Sequence, residues 1–251
     1  MLTTERKALI LDLLKAEGRI VAKEVSRRLG LSEDTIRRDL RELAGDGLLQ
    51  RVHGGALPAS PALASLPVRR RVSPEGKAAI ARAAAALAKD GQILFLDGGT
   101  TAVAVARALP AELRATVATH SPDVAVALLD KPGLEVELIG GRLYKHSNVA
   151  VGAVAQEAIR QIRADLYFMG VTGIHAEHGL TTGDREEAAI KRAISRQAAE
   201  TIVLGSQEKL GAVSAYEVVA LEAIDGLIVE RSCPEPAMAP FAARGVPIIR
   251  A

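Results

Sequence analysis

The sequence predicts an α/β protein of two unequal domains: a small helical N-terminal unit, then a larger, doubly wound, mostly parallel sheet domain. Three observations carry that expectation. Apolar residues recur at helical spacing up to about residue 44. An uncharged stretch with three prolines, 57–68, interrupts the pattern. Beyond it, short apolar runs alternate with helical segments, the rhythm of crossover connections in a parallel sheet. The boundaries are set at 1–56, a linker over 57–72, and 73–251. At 251 residues the chain is long enough to bury a core without metal or disulfide staples, and Cys233 is its only cysteine. That excludes an internal disulfide and a cysteine-built metal site. The five histidines form no HExxH pattern. No cofactor motif is present. No 18-residue apolar run and no N-terminal apolar signal core occur, so a cytoplasmic protein without a membrane partner is expected.

Taken in order, Leu9, Ile10, Leu13 and Leu14 mark a first helix that Gly18 interrupts. Val21 to Leu29 is a second, ending at Gly30 in a C-terminal glycine position. Ser32 is the N-cap candidate of a third, which runs to about Ala44. Residues 48–53 read as a short strand closed by Gly54-Gly55. Ser73-Pro74-Glu75 opens a capped helix that continues to Leu87. Strands are expected at 93–96, 116–119, 136–139, 166–171, 201–204, 227–229 and 247–249. Helices are expected near 101–109, 122–130, 152–163, 184–199 and 236–243.

Charge is informative only when divided. Residues 1–56 hold 11 Lys/Arg against 9 Asp/Glu; the remainder holds 21 of each, so the whole net charge of +2 sits in the first segment. Arg69, Arg70 and Arg71 follow soon after. No aromatic residue precedes Phe95, which argues against base stacking in this region. Two helices, a glycine turn and a third helix make a helix-turn-helix pattern. At about 100° per residue, Ile36, Leu40 and Leu43 share one face of the third helix. Arg38 and Arg41 lie opposite with Asp34, flanked by Thr35 and Arg37. Guanidinium forks suit phosphates and the guanine edge in the major groove. Gln50, Arg51 and His53 would form a wing. The partner expected is double-stranded operator DNA, and the candidate contacts are Ser32, Asp34, Thr35, Arg37, Arg38, Arg41, Arg51 and His53. A plain bundle with solvated arginines is the bland alternative.

In the larger domain, Asp97-Gly98-Gly99-Thr100-Thr101 ends a strand and opens a helix. Exposed amides, hydroxyls and a helix N-terminus there suit an anion, although a strand-to-helix turn alone also needs such glycines. The Lys and spacing of a Walker loop are missing. Asp97, at the carboxyl end of a strand, would accept sugar hydroxyls. His120, Ser121, Gly140 and Gly141 sit at neighbouring strand ends. Asp184 and Glu187 suggest a capping box, and Glu187 with Lys191 either a surface pair or a charge at the ligand. Lys209 is a loop lysine or an anion contact.

The run Ser32-Glu33-Asp34-Thr35-Ile36-Arg37-Arg38-Asp39-Leu40, followed by Gly47-Leu48-Leu49-Gln50-Arg51-Val52-His53-Gly54-Gly55-Ala56, resembles the DNA-binding domain of DeoR-family transcriptional regulators. From about Lys77 to Ile249 the chain is similar to that family's sensor domain. The likeness rests on the Asp97–Thr101 loop, Gly140-Gly141, Gly179-Leu180-Thr181-Thr182, Glu187 with Lys191, and Lys209 with Gly211. The resemblance implies a winged-helix repressor and a sensor related in fold to ribose-5-phosphate isomerase and coenzyme A transferases. It also implies a phosphorylated sugar or related anionic carbohydrate metabolite as effector. The chain departs from the family at His120, where asparagine is usual, and at Ser206-Gln207-Glu208. A homo-oligomer, dimer or tetramer, would match repeated half-sites. Two other readings are a sugar-phosphate isomerase with an accessory DNA-binding domain, and a DNA-binding module with a purely structural dimerisation domain. The segment Val171-Thr172-Gly173-Ile174-His175 lacks the acids an isomerase would place there, so no catalytic residue is assigned.

Overall fold

The computed structural model describes residues 2–251. Helix α1 (Thr3–Glu17) stops where Gly18 adopts a φ of 71°. A two-residue strand β1 (Ile20–Val21), α2 (Ala22–Leu29) and α3 (Glu33–Gly45) follow. Between α2 and α3, Gly30 turns the chain at a φ of 64°, a left-handed conformation that costs glycine little. The Ser32 Oγ accepts from the Thr35 amide at 3.2 Å and caps α3. Ile10, Leu14, Val25, Ile36, Leu40 and Leu43 close a separate small core. Strands β2 (Leu49–Val52) and β3 (Gly55–Pro58) form an antiparallel hairpin, and β1 pairs with the other side of β3. The sequence suggested one strand closed by two glycines. Instead Gly54, at a φ of 76°, makes the turn, and Gly55 already belongs to the return strand. A Cβ at Gly55 would lie 1.7 Å from the Ile20 carbonyl oxygen, so β1 and β3 approach closely only with glycine there.

The linker expected over 57–72 is mostly ordered structure docked on the larger domain. Leu57 and Pro58 complete β3. Pro61–Leu63 form a 3-10 turn and Leu66–Arg71 the short helix α4. Pro61 and Pro67 lie in the first turns of these elements, where proline fits a helix, and Pro58 is in β3. Ala59 bridges to Val213, Ser60 donates to the Thr172 carbonyl, and Ala62 is buried.

The larger domain begins with α5 (Pro74–Ala85). Ser73, expected to cap it, has a φ of 42° and donates its hydroxyl to Glu230 instead, at 2.9 Å. The chain then runs through β4 (Ile93–Leu96), α6 (Thr100–Ala108), β5 (Ala115–Thr119), α7 (Pro122–Ala127), β6 (Leu134–Leu138), β7 (Arg142–Tyr144) and β8 (Val149–Val151). It continues through α8 (Ala153–Arg160), β9 (Ala164–Met169), β10 (Gly173–His175), β11 (Gly179–Thr182), α9 (Arg185–Ser195) and β12 (Ala198–Leu204). It ends with β13 (Tyr216–Val219), β14 (Gly226–Val229), α10 (Glu235–Ala242) and β15 (Ile248–Arg250).

Seven strands form one sheet in the order β15-β14-β12-β9-β4-β5-β6, every neighbouring pair parallel. These are the seven strands expected from the apolar runs. Alternation divides them cleanly. Leu94, Leu96, Phe168 and Ile228 face α5, α6 and α7 through Ile80, Val105 and Val124. Phe95, Tyr167, Met169 and Leu227 face α8, α9 and α10 through Ile159, Ile190 and Phe241. Burial on both faces is what makes such strands read as continuous apolar runs. Two small antiparallel sheets, β7-β8 and β10-β11-β13, are additions that the sequence pattern did not announce. The order reverses between β9 and β4, so the two βα connections diverge there and leave a crevice beyond the strand ends. Among the described residues no helix is long and apolar enough to cross a membrane.

Candidate functional site

Two surfaces carry chemistry, one in each domain. On α3 the arginine face is as the helical period required. Arg37, Arg38 and Arg41 are exposed, opposite buried Ile36, Leu40 and Leu43. Arg37 is tied to Glu33 at 2.7 Å, one helical turn away. Arg38 and Arg41 take part in no ion pair among the described residues and remain available. Ser32 and Thr35 share a hydroxyl–hydroxyl bond of 2.9 Å at the cap, and Asp34 is exposed beside them. Arg51 and His53 stand exposed on the β2–β3 hairpin. The sequence did not reveal the role of Asp39. It is buried within α3 and accepts Arg6 Nη2 of α1 at 2.9 Å, with Arg6 Nε on its other oxygen. That bidentate pair fixes the arginine-bearing helix against α1.

The second surface is a pocket at the sheet's reversal point. Its floor is Gly98-Gly99-Thr100-Thr101 after β4 and Gly170-Val171-Thr172 after β9. Its walls carry Arg69, Lys77, Lys191 and Lys209, with Glu187 and Glu208 as the acidic members. The first-turn amides of α6 have no intrahelical acceptors and open toward it. Gly99 is the N-cap of α6 at φ 98° and ψ 175°, a region essentially restricted to glycine. At Gly98 an added Cβ would come within 2.1 Å of the Val149 side chain.

Asp97 organises this floor from beneath. It is fully buried and does not line the pocket. One carboxylate oxygen accepts His120 Nε2 at 2.9 Å and the Gly98 amide at 2.8 Å. The other accepts Lys191 Nζ at 2.7 Å, the Gly170 amide at 2.8 Å and the Tyr167 hydroxyl at 2.9 Å. Burial alone would push this carboxyl up. The Lys191 ammonium and the His120 hydrogen bond outweigh it and hold it well below the usual carboxylate range. Burial beside that charge also pushes the Tyr167 hydroxyl up. Five donors leave Asp97 no lone pair for a sugar hydroxyl, so the direct contact expected from its strand-end position is replaced by a positioning role.

None of His120, Ser121, Gly140 and Gly141 lines the pocket: the first two are buried, and the two glycines are exposed. His120 is fully buried between Asp97 and the Ala150 carbonyl, its Nδ1 2.9 Å from that oxygen. Ser121 is buried, with its hydroxyl 3.4 Å from the Asn148 carbonyl. A Cβ at Gly141 would sit 2.9 Å from the Val151 carbonyl oxygen, so that glycine permits close passage of backbone. Asp184 caps α9 by accepting from both the Glu186 and Glu187 amides at 2.9 Å. Glu187 is not its reciprocal partner. It is buried in the pocket wall, 3.3 Å from the Ser147 hydroxyl. Lys191 reaches Asp97 in the same interior, so neither is a surface residue.

The cations are poorly compensated. Lys209 is buried, and its Nζ donates to the Leu204 carbonyl at 3.2 Å. Burial pushes its ammonium down to about 8 despite the nearby Glu208. Burial likewise lowers Lys77, whose Nζ donates to the Arg69 carbonyl at 2.6 Å and to the Val72 carbonyl. Arg69 is lowered by burial too, with Glu187 opposing the shift. Arg69 and Lys77 had been read only as parts of an arginine run and a helix. Their meeting across the pocket has no local sequence signature.

Both parts of the chain match families of known proteins. Residues 6–61 match the family model of the DeoR-like helix-turn-helix domain, and residues 72–231 that of the DeoR C-terminal sensor domain. The chain is 35% identical to the HTH-type transcriptional regulator GlpR of Haloferax volcanii, over 99% of this chain and 98% of that one. It is 37% identical to the HTH-type transcriptional repressor GlcR of Bacillus subtilis, over 92% and 90% respectively. Identity to the glycerol-3-phosphate regulon repressor of Escherichia coli is 31%, over 95% of each. Among solved structures, ribose 5-phosphate isomerase A of Methanocaldococcus jannaschii aligns at 18% identity and a TM-score of 0.39, over 53% of this chain and 52% of that one.

Proposed function

The chain belongs to the DeoR family of helix-turn-helix transcriptional regulators, and from that premise we propose that it represses a carbohydrate-catabolism operon until an anionic metabolite, a phosphorylated sugar or a close relative, enters the C-terminal pocket. One observation carries this reading. Four cationic side chains and the open N-terminus of α6 converge on one small pocket that holds only two carboxylates. Lys191 is neutralised from below by Asp97, which leaves Arg69, Lys77 and Lys209 to balance an incoming anion. In this reading Thr100 and Thr101 add hydroxyl donors, and Gly98 and Gly99 let the anion reach the backbone.

Asp97, His120 and Tyr167 form the support that fixes the floor. Because the Asp97 carboxylate is covered on both oxygens and held low, it is not placed to move protons between sugar carbons. The protein acts as a sensor. Arg38 and Arg41 read base edges or phosphates, with Arg51 and His53 on the flanking backbone. A homo-oligomer presents two such heads to half-sites about 34–36 Å apart. Metabolite binding relieves repression to the extent that it favours an arrangement with lower operator affinity.

The test is an operator titration of the full chain, using DNA from upstream of its own gene. It is run with and without inorganic phosphate, glycerol 3-phosphate and a panel of hexose phosphates. Release by one phosphorylated sugar, with no turnover of it, is expected. Steady conversion of the sugar phosphate to an isomer would make the chain an enzyme instead.

A further inference from the structure

Arg69 belongs to the segment that joins the two domains, yet its guanidinium lies in the pocket wall. One terminal nitrogen, Nη2, donates to the His146 carbonyl at 2.9 Å and lies 3.4 Å from the Ser147 hydroxyl. Its Nε is buried and has no hydrogen-bond partner, the only such side-chain nitrogen or oxygen among the described residues. Nearly all buried polar groups are satisfied, so an orphaned donor on a charged group needs an explanation. A guanidinium fork with a free N–H suits a phosphate or carboxylate.

The segment around Arg69 is held by the same pocket. Lys77 clamps the carbonyls of Arg69 and Val72. Pro61 and Ala62 form the pocket's rim, and Leu63 packs over Gly183, where an added Cβ would lie 2.5 Å from its Cδ2. At the other end the segment is continuous with the DNA-binding domain: β3 stops at Pro58, and Ala59 already bridges to Val213.

We propose that Arg69 is an effector ligand supplied by the interdomain segment, and that residues 59–72 are the element through which the pocket controls the reading head. The inference rests on the sensor reading above. An anion seated between Arg69, Lys77 and Lys209 competes for donors that now hold the segment's own carbonyls and the His146 carbonyl. Bound and free states therefore differ in how residues 59–72 are fastened. Because β3 runs into residue 59 without a spacer, a change in that fastening reorients the β2–β3 hairpin and α3. Such a device meets the requirement that the effector interact differently with the two states.

The experiment compares the full-length wild type with Arg69→Gln, Arg69→Lys and the exposed control Arg71→Gln. The probe is whichever sugar phosphate releases the wild type from its operator. Effector affinity is read by calorimetry, operator affinity by anisotropy, and backbone protection of residues 59–72 by hydrogen–deuterium exchange. Arg69→Gln, measured against its own probe-free operator affinity, should bind the probe about tenfold or more weakly than the wild type. At a probe concentration that just saturates the wild type, its operator affinity and the protection of 59–72 should shift far less than the wild type's. Arg69→Lys, which keeps the charge but loses the fork, should fall between. Arg71→Gln should match the wild type. If Arg69→Gln responds with wild-type midpoint and amplitude, Arg69 is not a ligand and this inference fails while the sensor reading stands. If the wild type responds without any change in protection over 59–72, the relay role fails. If no phosphorylated sugar releases the wild type, the sensor reading fails first, and the inference with it.

Discussion

Asp97 accepts five hydrogen bonds, the most distant from Lys191, 94 residues along the chain. Asp97→Asn keeps the shape but removes the charge that balances a buried ammonium. It should destabilise the fold by about 3–5 kcal/mol, measured by denaturant unfolding. The same carboxylate sets an acid dependence. Its folded value lies below the unfolded one of about 3.9, so the folded state binds fewer protons in acid. Its contribution is present above that unfolded value and is lost as pH falls through the depressed folded value. Asp97→Asn should lack this part of the acid unfolding curve. Lys209 shifts stability in the same direction, over an alkaline range. Its folded value of about 8 lies below the ordinary lysine value of 10.5, so between the two the unfolded chain binds more protons, and this group favours folding increasingly as pH rises. For an anion in the pocket, surrounded by Arg69, Lys77, Lys191, Glu187 and Glu208, loss of the Lys209 proton removes an attraction. Effector affinity should therefore fall as pH rises above about 8, and Lys209→Met should flatten that part of the profile. At the other site, Arg38→Ala and Arg41→Ala should each weaken operator binding by about 1–3 kcal/mol if they read bases, with unchanged melting temperature.

Among the elements, α3 is the one whose placement depends on both a cap and a buried ion pair. Ser32→Ala removes the acceptor for the Thr35 amide and should cost about 1 kcal/mol, read from thermal unfolding of the N-terminal domain's signal. Operator affinity should fall with it only as far as α3 frays. On α6 the equivalent position is Gly99, whose φ of 98° no side chain adopts without strain. A Gly99→Val variant therefore disturbs the turn as well as the approach of a ligand. Lys209→Met is the cleaner probe of the pocket, because it removes charge without asking the backbone to move.

For the whole molecule, the docked segment changes where the chain should be divided. A fragment beginning at residue 73 lacks Arg69 and the Pro61–Ala62 rim, and exposes apolar surface that Ala62 and Leu63 now cover. One beginning at residue 59 keeps them. The longer fragment should melt higher by about 4 °C or more, a difference of one to two kcal/mol for a domain of this size. It should also bind the effector more tightly. Equal melting temperatures would mean that residues 59–72 dock too weakly to transmit anything. The exposed edge strand β6, with Val136 and Leu138 open to solvent and alternating with Glu135 and Glu137, ends the sheet on one side.

Features that depend on local periodicity were legible without any coordinates. The seven parallel strands were legible because both faces are buried and the runs are continuously apolar. The α3 arginine face was legible because a 3.6-residue period separates Arg38 and Arg41 from Ile36, Leu40 and Leu43. The Ser32 and Asp184 caps were legible because a cap is made within three residues. Relations between residues far apart in the chain came only from the folded packing. Asp97 read as an open acceptor at a strand end, and the donors from His120, Tyr167, Gly170 and Lys191 that cover it come from two other strands and a helix. Residues 57–72 read as a tether, since composition reports the prolines and not the surface that receives Ala62 and Leu63. Arg69 looked like one charge in a run of three. Its place in the pocket follows from the packing of α4 against the sheet's reversal point, and its unpartnered Nε is a property of that packing alone.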